Sequence, residues 1–386
     1  MTKTRVIVSG FGVVTPYGIG INKFKKGLFN NSPTFSKFKH KYVESCEVQE
    51  AALVNEIETD TTESLAIKMA LIAVKEAVDN AKKPLLSDSA GVFVGTGVGC
   101  IDAIEELFFN NNSLSDFDYR FGVVGNIANA IAQEYGISGQ VSTFSTGCSS
   151  GNYAIASAMS SIQLGKIDVA ICGGVDPRSV IAINCFNRLG GLDKNGIKPF
   201  DKNRNGTTIA EGSAFLVLEN LENALARNIN PIVELINYGF SCDAYNPTVP
   251  EPTGEQASLS IKKALEGIDL SQISSIFAHG TGTKLNDAFE AKCLKDVLGK
   301  YSSNVPVTAL KSLIGHSGGA SSAMTVCSAI VCLTENIIYA TISTKDIDDN
   351  IDLKVVFKNE NLNSGYSLIN AFAFGGNNAV LLLKKY

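Results

Sequence analysis

The chain has 386 residues, more than one compact domain usually holds, so two domains or one large duplicated α/β body is expected. Hydrophobic residues make up 45% and charged residues 18%, which excludes a disordered chain, and a net charge of −5 without a long Lys/Arg block argues against nucleic acid as a partner. The nine cysteines form no CxxC pair, which speaks against a disulfide framework or structural zinc and for a reducing compartment, so the cytoplasm is the expected location.

Short β-branched runs bounded by glycine alternate with longer Ala-rich or amphipathic segments, as in an α/β fold whose sheets are covered by helices. The apolar run that opens the chain, Val6-Ile7-Val8, is too short for a signal peptide and reads as a strand, Val6 to Ser9. A helix is expected from Thr62 to Lys82, a strand from Val92 to Gly95, an exposed Asn/Ser-rich loop from Asn110 to Asp116, and a helix from Asn126 to Tyr135. The strand Val141 to Phe144 leads into a small-residue helix, Ser149 to Leu164, and strands follow at Val169 to Cys172 and Ala214 to Leu218. After the charged segment Glu219 to Asn230, which places a boundary near Asn230, strands are expected at Ile232 to Tyr238, Ile276 to Ala278, Pro306 to Ala309, Ser367 to Ala371 and Ala379 to Lys384. Helices are expected at Gly254 to Glu266, Ala288 to Leu298 and Gly318 to Asn336. The longest apolar stretch, Ala323 to Leu333, falls well short of the ~20 residues of a membrane span and reads as a buried helix.

Three segments carry chemistry. Ser145-Thr146-Gly147-Cys148-Ser149-Ser150-Gly151 puts Cys148 on a strand-to-helix turn, where unpaired amides and the helix dipole are expected to stabilise a thiolate. His279, at the end of a strand, opens Gly280-Thr281-Gly282-Thr283; His316 stands in Lys311-Ser312-Leu313-Ile314-Gly315-His316-Ser317-Gly318-Gly319 before another helix. A lone histidine is more often structural, but two in matching strand, glycine, helix settings point to a shared cleft. His40 has no such setting and reads as surface. Lys311 and Glu290 are the buried-charge candidates, and Phe374-Gly375-Gly376 is either a hairpin turn or a loop whose backbone amide joins that of Cys148 in an oxyanion hole.

With these motifs in order, together with Val8-Ser9-Gly10-Phe11-Gly12 and Lys198-Pro199-Phe200-Asp201, the chain from residue 5 onward resembles the β-ketoacyl-ACP synthase family of the thiolase superfamily. The elongating 3-oxoacyl-ACP synthase II type and the ketosynthase subunits of type II polyketide systems are the nearest branches. The resemblance implies a five-layered αβαβα, thiolase-like fold of two similar halves, 1–230 with the nucleophile and 231–386 with both histidines, working as a homodimer or as a heterodimer with a homologous chain-length-factor-like subunit. It implies that Cys148 is acylated, that His279 and His316 assist malonyl decarboxylation, that Lys311 and Glu290 form a supporting ion pair, and that Phe374 gates the acyl pocket. Thr281, Thr283 and Thr248 would bind the phosphopantetheine arm delivered by acyl carrier protein; the enzyme needs no metal or cofactor of its own. Departures from the family pattern are Ala373, where its gating loop usually has glycine, and Ala210, where glycine commonly precedes Glu211. The competing readings are a non-catalytic partner subunit, against which the intact Cys148 counts, and a cysteine hydrolase, which leaves His316 and the lysine motif without a role.

Overall fold

Strands that are apolar at every position must be covered on both faces. In Gly212–Asn220, Ala214, Leu216 and Leu218 enter one core while Phe215 and Val217 enter another. The computed structural model describes residues 4–58, 64–82, 89–109 and 118–386. The expected loop from Asn110 to Asp116 and the start of the helix expected at Thr62 lie outside the described residues.

Ten strands form the body of one continuous sheet: β1 (Val6–Thr15), β2 (Ala90–Gly95), β3 (Val141–Phe144), β4 (Val169–Asp176), β5 (Gly212–Asn220), β6 (Val233–Cys242), β7 (Ile273–Phe277), β8 (Pro306–Thr308), β9 (Tyr366–Phe372) and β10 (Asn377–Lys385). Their spatial order is β8-β7-β9-β10-β6-β1-β5-β4-β2-β3, with Lys354–Val355 added beside β8. From the central pair β1 and β6 outward, each half runs first, fifth, fourth, second, third strand. The sense repeats too: the first two pairings are antiparallel and the next two parallel in both halves. The topology is duplicated although the sequence shows no evident repeat.

Five layers follow from where the apolar side chains go. Helices α2 (Ser150–Gln163) and α6 (Ser321–Glu335) share a central core with inward residues of both halves, including Val8, Leu216, Ile369 and Leu381. Helix α1 (Leu65–Asn80) and the helix Asn126–Tyr135 cover the outer face of the first half. Helices α4 (Glu255–Ala264) and α5 (Lys284–Leu298) cover that of the second. Every residue from Ser321 to Leu333 is buried, as befits a helix in the middle layer, and no helix among the described residues is long and apolar enough to cross a membrane. Gly151 lets α2 approach α6 closely, since a Cβ there would lie 2.7 Å from the Ala323 nitrogen.

The Gly10-Phe11-Gly12 motif has a packing role. A Cβ on either glycine would collide with backbone carbonyls of α1, those of Ala77 and Ala73, so these positions let α1 lie directly on β1. Among the helices that sequence periodicity did not reveal are Ile21–Asn30, Ile101–Phe109 and α3 (Val180–Arg188), all short; Ser179 Oγ caps α3 by accepting from the Ala182 amide.

Candidate active site

Both halves place their chemistry on turns that follow equivalent strands. Cys148 lies on the single-turn segment Gly147–Ser149 between β3 and α2; His316 lies between β8 and α6, after the short helix Lys311–Ile314. Gly147 (φ 63) and Gly315 (φ 73) supply left-handed backbone immediately before each residue. Ser150 Oγ holds the first turn, accepting from the Thr146 amide at 2.9 Å and donating to the Gly147 carbonyl at 2.6 Å. His279 follows β7. These turns bring Sγ of Cys148 and a ring nitrogen of each histidine within 4.8 Å of one another, and the two imidazoles meet edge-on, centroids 5.7 Å apart at 89°.

The histidines are buried and their pKa values lie well below the ordinary value of 6.5; burial is the larger cause, and the Lys311 ammonium adds to it. Both are neutral at physiological pH. Lys311 Nζ sits 3.3 Å from His279 Nδ1 and donates to the His279 carbonyl at 2.5 Å. An ammonium beside Nδ1 makes that nitrogen the acceptor and leaves the proton on Nε2. His316 Nδ1 is buried without a hydrogen-bond partner among the described residues.

Two expectations need correction. Lys311 and Glu290 are not in contact as an ion pair among the described residues, because both are engaged elsewhere. The fully buried Glu290 carboxylate accepts from the amides of His279 and Gly280, each at 2.8 Å, and from Asn370 Nδ2 at 2.9 Å. It therefore fixes the backbone that carries His279. The Cys148 thiol is pushed up to about 11 rather than lowered: desolvation of this half-buried residue at the cleft floor, with the Asp176 charge adding to it, outweighs the Lys311 charge and the amides of Phe374 and Cys148 that reach it. Although Cys148 and the histidines resemble a three-ligand metal set, the Lys311 ammonium against His279 opposes a cation there.

The trio opens on a cleft of about 330 Å³. Thr281, Thr283 and Thr248 all line it, as does Phe374. The Thr281 and Thr283 hydroxyls are 2.9 Å apart, and Thr283 caps α5 through the Asn286 amide. The buried carboxylate of Asp287 accepts from the amides of Gly282 and Phe200 and so ties the threonine loop to Lys198-Pro199-Phe200-Asp201. Phe374 is 43% exposed at the mouth, and its ring stacks on Phe186, centroids 5.7 Å apart at 16°. Phe186 also approaches His316 edge-on. It belongs to α3, whose amino end is held by Glu105 through Ser179 Oγ and the amides of Val180 and Ile181. Neither Phe186 nor Glu105 stands in a motif; only the fold brings them to the site. His40 stands apart, packed among Phe38, Tyr42 and Phe109.

Two family models cover most of the chain. Residues 3–224 match the beta-ketoacyl synthase N-terminal domain and residues 232–345 the beta-ketoacyl synthase C-terminal domain. The 3-oxoacyl-[acyl-carrier-protein] synthase 2 of Synechocystis sp. is 30% identical, with 100% of this chain and 99% of that protein covered. Among solved structures, the ishigamide ketosynthase/chain length factor aligns with a TM-score of 0.91 at 30% identity, covering 100% of both chains. The AntDE:AntF structure, a type II PKS acyl-carrier protein in complex with its ketosynthase bound to the hexaketide, aligns with a TM-score of 0.93 at 27% identity, again with 100% of both chains covered.

Proposed function

Since the chain belongs to the beta-ketoacyl synthase family of condensing acyltransferases, we propose that Cys148 carries the acyl group and that His279 and His316 drive its extension by malonyl-ACP. The observation that carries this reading is the approach of one thiol and two neutral imidazoles within 4.8 Å at the floor of a cleft, with the amides of Phe374 and Cys148 directed at the sulfur. In the first step the sulfur attacks the carrier thioester; its S–C bond forms, the carrier's C–S bond breaks, and the thiol proton leaves with the carrier thiol. With a thiol held near 11, that proton must be drawn off during attack; the His279 lone pair is held by Lys311, which leaves the neutral His316 imidazole and the departing carrier sulfur to take it. The two amides form the oxyanion hole.

In the second step malonyl-ACP occupies the cleft, with Thr281, Thr283 and Thr248 along the phosphopantetheine arm. The bond to its carboxylate breaks, CO2 leaves, and the electron pair passes to an enolate held by the His279 Nε2–H donor and by His316. Carbon attacks the Cys148 thioester, the C–S bond breaks, and the sulfur takes up a proton. Residues 1–230 and 231–386 are read as the nucleophile half and the histidine half, a division supported by the repeated strand order. A second subunit, identical or homologous, suits β3, which is the edge strand of the sheet among the described residues and exposes Val141.

Intact-protein mass spectrometry after incubation with acyl-ACPs, then malonyl-ACP, tests the reading. A Cys148-dependent adduct consumed to a 3-oxoacyl product two carbons longer is expected. No adduct would return the chain to the partner-subunit reading, and an adduct lost to water alone would make it a hydrolase.

A further inference from the structure

Asp176 ends β4, is 3% exposed, and belongs to none of the motifs that carry the chemistry. Its Oδ1 accepts from Thr96 Oγ1 at 2.6 Å and from the amides of Gly97 and Val98 at 2.9 and 3.1 Å. Its Oδ2 accepts from the Gly319 amide at 2.5 Å, and the Gly97 amide is shared between both oxygens. The first group of donors follows β2 and belongs to the half that carries the nucleophile. The Thr96 amide donates to the Phe144 carbonyl, at the end of the strand that leads to Cys148, and Ser150 Oγ contacts the Thr96 carbonyl. Gly319 belongs to the other half, three residues beyond His316 and just before α6. The space is closed around the carboxylate: a Cβ at Gly97 would lie 2.8 Å from Oδ2, and one at Gly319 would lie 2.5 Å from the Gly97 nitrogen.

A carboxylate buried this deeply is retained at a desolvation cost unless all its lone pairs are used, and here they are used on backbone from two separate halves. We propose that Asp176 is a positioning residue, whose carboxylate staples the turn after His316 to the loop that supports the Cys148 turn and so sets the distance between nucleophile and histidine. Backbone donors on both sides explain why a carboxylate serves where an amide cannot. An asparagine can turn its oxygen to Thr96, Gly97 and Val98, but its NH2 then faces the Gly319 N–H, and the link to the His316 turn is the one lost.

The inference rests on the role read above for His316, and the experiment separates the two. Acyl loading of Cys148 and condensation with malonyl-ACP are measured on wild type, Asp176→Asn, Thr96→Val, His316→Ala and the double variant Asp176→Asn/His316→Ala. Condensation by Asp176→Asn should fall on the order of 10²-fold, as for a catalytic group displaced by about 1 Å, with loading falling much less; Thr96→Val should show the same pattern more weakly. In the His316→Ala background Asp176→Asn should add little, because a residue acting through His316 has nothing left to position. Equal loss of both steps, or an undiminished further loss in that background, would overturn the proposal. Should Asp176→Asn not fold, Thr96→Val alone decides by the same split. A wild type that neither loads nor condenses would instead refute the assigned reaction.

Discussion

Gly147→Ala tests the nucleophile turn through two separable effects. Gly147 has φ 63, a left-handed backbone that costs an alanine ~1–2 kcal/mol, offset by ~0.4–1 kcal/mol from the smaller unfolded-state entropy. The added methyl would also lie 3.3 Å from both Ala373 Cβ and the Phe374 carbonyl, so the loop that presents the Phe374 amide must retreat by a few tenths of an ångström. We expect a stability loss of about 1 kcal/mol in urea unfolding and a fall in acyl loading between about tenfold and the 10²–10³-fold that removal of one oxyanion donor costs. Ala373→Gly, added to Gly147→Ala, removes one of the two contacts: loading should recover in part while the backbone strain, and with it the stability loss, remains. Wild-type loading in Gly147→Ala, or no recovery in the double variant, would refute the reasoning that this turn and the Phe374 amide form one unit.

Cys148→Ala should abolish the acyl adduct, whereas His316→Ala should impair decarboxylation, followed by release of labelled CO2, more than loading. Glu290→Gln puts an NH2 group against the donors on His279, Gly280 and Asn370, and should cost about 1–3 kcal/mol in unfolding experiments, as an unsatisfied buried donor does. Lys311 is lowered by burial to about 8, below its ordinary 10.5, so between these values the unfolded chain binds more protons and stability should rise with pH. Cys148 opposes this only from its ordinary 9.0 up to about 11, which leaves pH 8 to 9 as the window in which wild type gains stability relative to Lys311→Met. A parallel course for the two proteins in that window would contradict the burial of a charged Lys311.

The residues of the proposed centre could be picked out because they sit on local signals: glycine turns that join a strand to a helix can be read from a few adjacent residues, and Cys148, His279 and His316 are all on such turns. What could not be read is whatever depends on residues far apart in the chain. Phe186 reaches the cleft on a helix, α3, held by residues far off in the chain: Glu105, some 75 residues earlier, at its start, and Val48 through Asn187. The pairing expected of Lys311 and Glu290 failed for a related reason: sequence places two opposite charges near one histidine but not the backbone amides that compete for the carboxylate. The thiol was misjudged in sign because a helix N-terminus is visible in sequence and the depth of burial is not. The Gly10 and Gly12 pattern could be read only as a family motif; its physical role, a seat for α1, needs the helix that packs on it.

The way charge is spent around the cleft bears on the reaction itself. The carboxylates of Glu290, Asp287 and Asp176 are all turned to backbone amides, and Asp243 in the cleft wall is engaged by Asn378 and the Glu251 amide. What faces the sulfur is therefore two neutral imidazoles, backbone amides and the aromatic surfaces of Phe186, Phe372 and Phe374, with the Lys311 ammonium bound to His279. A malonyl carboxylate entering this setting exchanges water for few strong donors, while the enolate formed when CO2 departs finds its charge on an oxygen that imidazole N–H groups can reach. The arrangement thus favours the state after decarboxylation over the state before it, which is the condition for lowering that barrier rather than merely binding the substrate. An acidic residue freed into the cleft would raise the substrate's energy by repulsion but also favour cationic histidines, and His316 would then no longer offer a lone pair to the Cys148 thiol. In the reaction proposed above, neutral histidines beside a protonated thiol serve both half-reactions in turn.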